Sequence, residues 1–328
     1  MNNPRLQFAT PEGKRQCLPA SPDEFVLHLT PPSHYNPPVR AAAVLHPDAG
    51  GRQLEAFRDP RAELVRSSSL HPGDLPEVAM VFGGDGSVHL VLAALAQSSV
   101  PLLVVPAGSG NDFAHAIGIR SRADALRAWR RFLDRGDNCR DIDLGCIKPM
   151  GADAGAAEEQ YYCCIAGVGM DAEANEIANR MPAWMRANGG YIVSALRALA
   201  AHRPKLVSVT ARLPEGRELR IRDRVLLVAC GISPEYGNGM RLLPRALLDD
   251  GLLDLCFVHS VPKLKVLRFF HTVFRGRHLV VPEVQYEQVQ SLRLEAEEPM
   301  SIYGDGEFLC RTPVDICLLR RALRVIVP

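Results

Sequence analysis

Two short apolar runs, 78–82 (VAMVF) and 101–106 (PLLVVP), each break abruptly into a glycine-rich turn. The first turn reads Gly83-Gly84-Asp85-Gly86-Ser87 and the second Ala107-Gly108-Ser109-Gly110-Asn111-Asp112. Apolar runs this short, bounded by turn residues, read as strands buried on both faces. Helix-forming sequence follows each turn, Val88 to Gln97 after the first and a stretch opening near Asn111 or Asp112 after the second. With AAAVL at 41–45 and AELV at 62–65 ahead of them, these repeats predict an α/β unit built on a parallel sheet. Loops at the carboxyl ends of neighbouring strands lie side by side, where such sheets bind ligands. Turns so poor in side chains admit a ligand close to the backbone, and helix N-termini facing it favour phosphate. On this reading the amides near Ser87 and Val88 face the ligand, and the Ser109 hydroxyl can donate to a phosphate oxygen. Asp112 has two readings, a helix cap or a group acting on magnesium and phosphate, and the plain reading of Asp85 is a helix cap in a tight turn.

Beyond residue 140 the pattern changes. Segments 160–168, 206–212, 224–231, 252–258, 289–295, 300–303 and 314–318 read as strands, with helices at 187–201 and 263–274. That predicts a second, mostly antiparallel β domain, with the boundary between Asp137 and Gly145. Residues 1–38 hold eight prolines and form an extension with no assigned chemistry. The length of 328 residues suits two domains. Apolar residues at 47% exclude pervasive disorder, and 38 basic against 37 acidic residues leave no global field for nucleic acid. The nine cysteines show no C-x-x-C pair, which argues against structural zinc; most sit in apolar runs and fit a reducing compartment. No run approaches the roughly 20 apolar residues of a membrane span, so a cytoplasmic protein is expected.

Two further segments carry candidate chemistry. Ser301 to Phe308 is a hairpin with Asp305-Gly306 at its turn and Glu307 beside it, and in Tyr236 to Asp254 the turn Asp249-Asp250-Gly251 offers the oxygen ligands magnesium prefers. In their order along the chain, these segments resemble the diacylglycerol kinase catalytic-domain family, which includes bacterial lipid kinases, sphingosine kinases and ceramide kinases. Gly83 to Ser87 is similar to its G-G-D-G-T loop and Pro106 to Phe113 to its P-x-G-T-x-N-D-F segment. Gly167 to Glu173 is similar to G-x-G-x-D-A-E, Tyr236 to Asp254 to Y-G-G-G…P-x-A-x-L-D-D-G-L-L-D, and Gly304 to Glu307 to D-G-E. The resemblance covers about Ala41 to Pro328.

It implies a three-layer α/β domain of the phosphofructokinase and NAD kinase kind over 39–140, then a β-sandwich domain over 141–328 whose last strand returns to the first domain. It also implies transfer of the ATP γ-phosphoryl group to a lipid hydroxyl, a place in lipid metabolism and phospholipid biosynthesis, and peripheral contact with the inner membrane surface. Carried over by position, Ser69, Gly83, Gly84, Asp85, Gly86, Ser87, Val88, His89, Leu90, Gly108 and Ser109 line the nucleotide. Asp85 and Asp112 organise magnesium and phosphates, and Glu307 takes the acceptor's proton. A structural magnesium is held by Asp250 with carbonyls of Leu247 and Leu252. The family usually continues L-N-E-V after its glycine loop, where this chain has Val88-His89-Leu90-Val91; His89 can still bond a phosphate, while Leu90 cannot replace a charge. A kinase of soluble substrates resembling NAD kinase, and a non-catalytic nucleotide- or lipid-binding protein, are the alternatives. A basic helix at Lys263 to Arg277 is the candidate lipid contact against the reading of an ordinary packed helix, and a homo-oligomer is allowed.

Overall fold

A computed structural model describes residues 37–328 except 47–51, 109, 152–157, 183–184, 186–189 and 238. Nearly all of the proline-rich extension, and Ser109, therefore lie outside the described residues. Strands β1 (Val39–Leu45), β2 (Ala62–Ser67), β3 (Val78–Gly83) and β4 (Leu102–Pro106) pair in parallel in the order β2-β1-β3-β4. Every residue of β3 and β4 is buried, the state expected of strands covered on both faces. A single helical turn, α1 (Arg52–Glu55), lies between β1 and β2, and His71 and Asp74 close a tight turn before β3. Helix α2 (Asp85–Leu95) follows β3, and α3 (Asp112–Ala116) and α4 (Arg122–Arg135) follow β4. Ser121 caps α4, whose Ala125, Ala128 and Trp129 turn inward while Arg127 and Arg131 pair with Asp124 and Asp137 at the surface.

The second half begins with β5 (Cys139–Pro149), β6 (Gln160–Tyr162) and β7 (Ile165–Gly169), then α5 (Met170–Asn179) and α6 (Tyr191–Ala201). Strands β8 (Lys205–Arg212), β9 (Glu218–Gly231) and β10 (Leu253–His259) precede α7 (Lys263–Val273). The chain ends with β11 (Val284–Val289), β12 (Ser291–Ala296), β13 (Ser301–Gly304), β14 (Glu307–Arg311) and β15 (Val314–Ile326). These strands pair antiparallel along β14-β13-β7-β9-β8-β12-β15, with β10 and β11 branching from β9, and β5 and β6 from β15. Buried Tyr162 on β6 meets Cys230 on β9 at 3.5 Å, setting one layer of strands over another. The run expected as one strand at 160–168 is two, because the amides of Cys163 and Cys164 turn aside to bond Asp305.

β15 serves both halves. Its start pairs with β12 and its end lies parallel to β4 through Val325 and Leu102, while β5 follows it along nearly its whole length. Register between β5 and β15 breaks from Leu319 to Leu323, where Arg321 takes a positive φ of 49°. The buried Asp143 carboxylate fills that break, accepting from the amides of Arg321 at 2.7 Å and Gly251 at 2.8 Å. Described residues from Pro38 onward form one compact unit.

Candidate functional site

The two glycine turns meet backbone to backbone. A Cβ on Gly108 would stand 2.5 Å from Gly84 Cα, so neither turn has room for a side chain there. The Asn111 side chain closes the second turn on itself, accepting from Gly108 N and donating to Gly108 O, both at 3.1 Å. Asp85 then ties the turns together: its carboxylate accepts from the amides of Asp112 at 3.1 Å and Phe113 at 3.0 Å. It is thus a cap, but for α3 rather than for the helix it begins. Burial raises the Asp85 pKa against the pull of the two amides, and the nearby Asp305 charge adds to the rise.

α2 starts at Asp85, three residues before Val88, so the amides of Ser87 and Val88 are spent on Gly84 O at 3.0 and 3.2 Å. The amides a phosphate could meet are those of Asp85 and Gly86, which precede the first intrahelical bond. Val88 is fully buried in the core, and Ser87 is buried with its hydroxyl packed over Gly83. Leu90, 69% exposed, points away from the core. Ser69 sits in the exposed turn after β2, its hydroxyl 3.2 Å from His71 Nε2.

Glu307 reaches this place from the β half. A Cβ at position 86 would stand 2.6 Å from Glu307 Oε1, so the absence of a side chain at Gly86 admits the carboxylate to the first turn of α2. Asp305 and Gly306 have φ of 52° and 87°, the two positive values of a type I′ turn. Asp305 fixes that turn: its carboxylate accepts from the amides of Cys163 at 2.6 Å, Cys164 at 2.8 Å and Ile165 at 3.1 Å. Sequence reasoning saw in Asp305 only a turn residue. His89, one helical turn beyond Gly86, lies within the field of Glu307; burial lowers its pKa, against the pull of that carboxylate, which favours a neutral imidazole. Its Nδ1 is buried with no hydrogen-bond partner among the described residues.

Asp112 faces the opposite wall, its carboxylate accepting from Gly237 N. The neighbouring Tyr236 hydroxyl donates to Asp171, a residue at the start of α5 that no sequence argument had given a role. Both border a cavity of about 110 Å³ walled by apolar side chains, among them Leu226, Val258, Val266, Phe269 and Val273. α7 supplies its inner face to this cavity and leaves Leu264 and Leu267 exposed outside.

The Asp250 turn lies beside the break in β15. Asp250 accepts from Leu252 N at 3.0 Å, and burial raises its pKa, as do the adjacent Asp143 and Asp249 carboxylates. Such crowding is what a divalent cation relieves, and carboxylate oxygens are the hard ligands magnesium accepts. Asp254, four residues on, is wholly buried, with one oxygen bonded to the Tyr286 hydroxyl at 2.7 Å and the other without a well-formed hydrogen bond among the described residues. Burial pushes its pKa from 3.8 up to about 6. Between those values the folded chain binds more proton than the unfolded one, so stability falls as pH rises, by about 3 kcal/mol in total. Asp254→Asn is expected to flatten that part of the curve of urea midpoint against pH; an unchanged slope would contradict the assignment.

Comparison with known proteins gives the family and the fold. Residues 41–147 match the family model of the diacylglycerol kinase catalytic domain, and residues 164–327 that of the YegS C-terminal NAD kinase beta sandwich-like domain. A diacylglycerol kinase of Mycobacterium tuberculosis is 32% identical over 77% of this chain and 77% of its own length. One from Bacillus subtilis is 26% identical over 77% and 78%. A crystal structure of a diacylglycerol kinase from Bacillus anthracis superposes with a TM-score of 0.60 at 18% identity, covering 88% of this chain and 97% of that one. An Archaeoglobus fulgidus NAD kinase in complex with ATP gives 0.50 at 14% identity, covering 88% and 93%; these structural likenesses speak to the fold.

Proposed function

The chain belongs to the diacylglycerol kinase catalytic-domain family, and from that premise we propose an ATP- and magnesium-dependent lipid kinase. It transfers the γ-phosphoryl group to the hydroxyl of diacylglycerol, a sphingoid base or a related lipid alcohol. The observation that carries the acceptor class is the apolar cavity bordered by Asp171 and Tyr236. Its walls are mostly apolar and suit a hydrocarbon tail, gaining about 25 cal/mol for each Å² removed from water. At its edge the Tyr236 hydroxyl bonds Asp171 and the adjoining Gly237 amide bonds Asp112, whose own amide meets Asp85; in this reading an acceptor seated there extends its hydroxyl toward Glu307.

In this reading the ATP phosphates meet the amides of Asp85 and Gly86 and the Gly108 turn, while Asp85 and Asp112 hold the nucleotide loops in place. Glu307 takes the hydroxyl proton as the bond to phosphorus forms. Phosphoryl transfer asks for positioning and charge neutralisation more than covalent help, and magnesium, when bound, supplies neutralisation at the phosphates. Asp250, with the carbonyls of Leu247 and Leu252, would hold a second, structural ion. We take 39–140 as the nucleotide half and 141–328 as the acceptor half, with the β5 and β15 pair shared.

The lipid must be met at a surface. No helix among the described residues is long and apolar enough to cross a membrane. α6 and α7 expose Ile192, Val193, Leu196, Leu264 and Leu267, carry Arg197, Lys263, Lys265 and Arg268, and contain no acidic residue. That composition fits peripheral contact with anionic lipid on the cytoplasmic side.

The test offers radiolabelled ATP and magnesium to diacylglycerol, monoacylglycerol, sphingosine and ceramide in anionic and neutral vesicles, with NAD in parallel. Labelled lipid, more from anionic vesicles, is expected. Label in NAD alone would replace the lipid reading with the NAD kinase-like one, and ATP binding without any product would favour a non-catalytic binding protein.

A further inference from the structure

Cys146 on β5 and Cys317 on β15 stand directly opposite each other in the antiparallel ladder. Opposed residues point to one face with Cα atoms about 4.5 or 5.5 Å apart, inside the span of about 4.4–6.8 Å that a disulfide bridges. Cys146 Sγ donates to Glu159 Oε2 at 3.4 Å. Cys146 is buried and Cys317 is partly open to solvent.

The charges around the pair make the two sulfurs unequal. Lys148 lies two residues along β5 from Cys146 and pairs with Glu159 at 2.7 Å; Tyr161 also donates to Glu159. On β15, Asp315 faces Lys148 and is held by Arg293 at 2.8 Å. The adjacent Cys146 thiol and the Lys148 ammonium hold the Cys317 thiol below its ordinary range, while the neighbouring Cys317 and burial push Cys146 up. A partly exposed cysteine held below its ordinary range beside a buried one is the arrangement of an attacking and a resolving cysteine. Among the other described cysteines, Cys163, Cys164, Cys230 and Cys256 are buried.

We propose that Cys146 and Cys317 form a reversible oxidation site whose co-reactant is a small-molecule disulfide of the glutathione type. The Cys317 thiolate attacks one sulfur of that disulfide, breaks its S–S bond and expels one thiolate, which takes up the proton Cys317 has lost. Cys146 then gives up its proton and attacks the Cys317 sulfur, expelling the second small thiol. Two protein thiols become one disulfide, and one small disulfide is reduced to two thiols. The new covalent rung lies close to the register break at Leu319 that joins the two halves of the chain. Such bonds in a reducing compartment are transient and redox-sensing rather than structural.

The test exposes the full chain to excess glutathione disulfide at neutral pH, alkylates remaining thiols and maps the peptides by fragment-ion mass spectrometry. A Cys146 to Cys317 link is expected that dithiothreitol removes and that fails to form when exposure takes place in urea, because the ladder register aligns the sulfurs. Cys317→Ser should abolish the link and leave Cys146 alkylated, whereas Cys146→Ser should trap glutathione on Cys317. Cys146→Ala replaces Cys146→Ser should the latter lower the melting midpoint. Glutathione on Cys317 of the unsubstituted chain without the link would overturn the proposal. So would no reaction at either cysteine, or a link that forms equally well in urea.

Discussion

Glu307→Gln lowers phosphoryl transfer by about 10²-fold or more while ATP affinity and the melting midpoint stay close to those of the unsubstituted chain. The expectation of an intact fold comes from how the hairpin is held. The Asp305 carboxylate, with three backbone amides, fixes the turn, and Asn179 Nδ2 adds a bond to Gly306 O at 2.8 Å. The Glu307 side chain, which is exposed, takes no part in that anchoring. Glutamine keeps the shape beside Gly86 and loses only the ability to take a proton. Because the loss is confined to the transfer step, it should fall on kcat and leave the KM for ATP within about twofold. His89 is no substitute acceptor at the outset: removing the Glu307 charge withdraws the one influence that raises its pKa. Glu307→Asp, which keeps the carboxylate but draws it back by one methylene, should give an intermediate rate. A Glu307→Gln enzyme with near-native kcat would remove Glu307 from proton transfer and leave the hairpin a structural wall of the cleft.

What could be read from the sequence was whatever is encoded locally. The runs at 78–82 and 101–106 become strands β3 and β4 because every residue in them is apolar and a glycine-containing turn follows each. The Asp-Gly turn before Glu307 has the positive φ values its composition demands. Contacts across long stretches of chain were not legible. Asp85 receives amides 27 and 28 positions away, and Asp305 receives amides about 140 positions away, so each looked like a residue of its own turn. β5 was hidden because Asp141, Asp143 and Gly145 read as a boundary; they are tolerated in a strand because Arg324, Arg321 N and Gly251 N meet the two carboxylates. The cavity was hidden for a different reason. Its walls come from several elements whose apolar residues are, taken one at a time, ordinary core positions, and only the fold puts Asp171 and Tyr236 at its edge.

The same long-range character makes Asp85 the residue whose loss should cost most outside Glu307. Asp85→Ala leaves the amides of Asp112 and Phe113 without their acceptor in a partly buried place, and each unmatched donor costs about 1–3 kcal/mol. It also removes a negative charge from the N-terminus of α3, where the helix dipole favours one. Calorimetric and urea unfolding should therefore both register a loss of roughly 2–4 kcal/mol. Freed from Asp85, the turn carrying Gly108 and Asn111 would drift from Gly84, and magnesium–ATP affinity should fall at least about tenfold, or about 1.4 kcal/mol. Unchanged affinity would contradict the assignment. Asp85→Asn separates the two contributions: its amide oxygen can accept one of the two bonds and keeps the shape, but carries no charge. If the carboxylate acts by holding the loops, asparagine should recover a large part of both stability and affinity together. Stability recovered without affinity would mean that the negative charge itself acts on the magnesium and phosphates, and that Asp85 turns toward them when the nucleotide arrives.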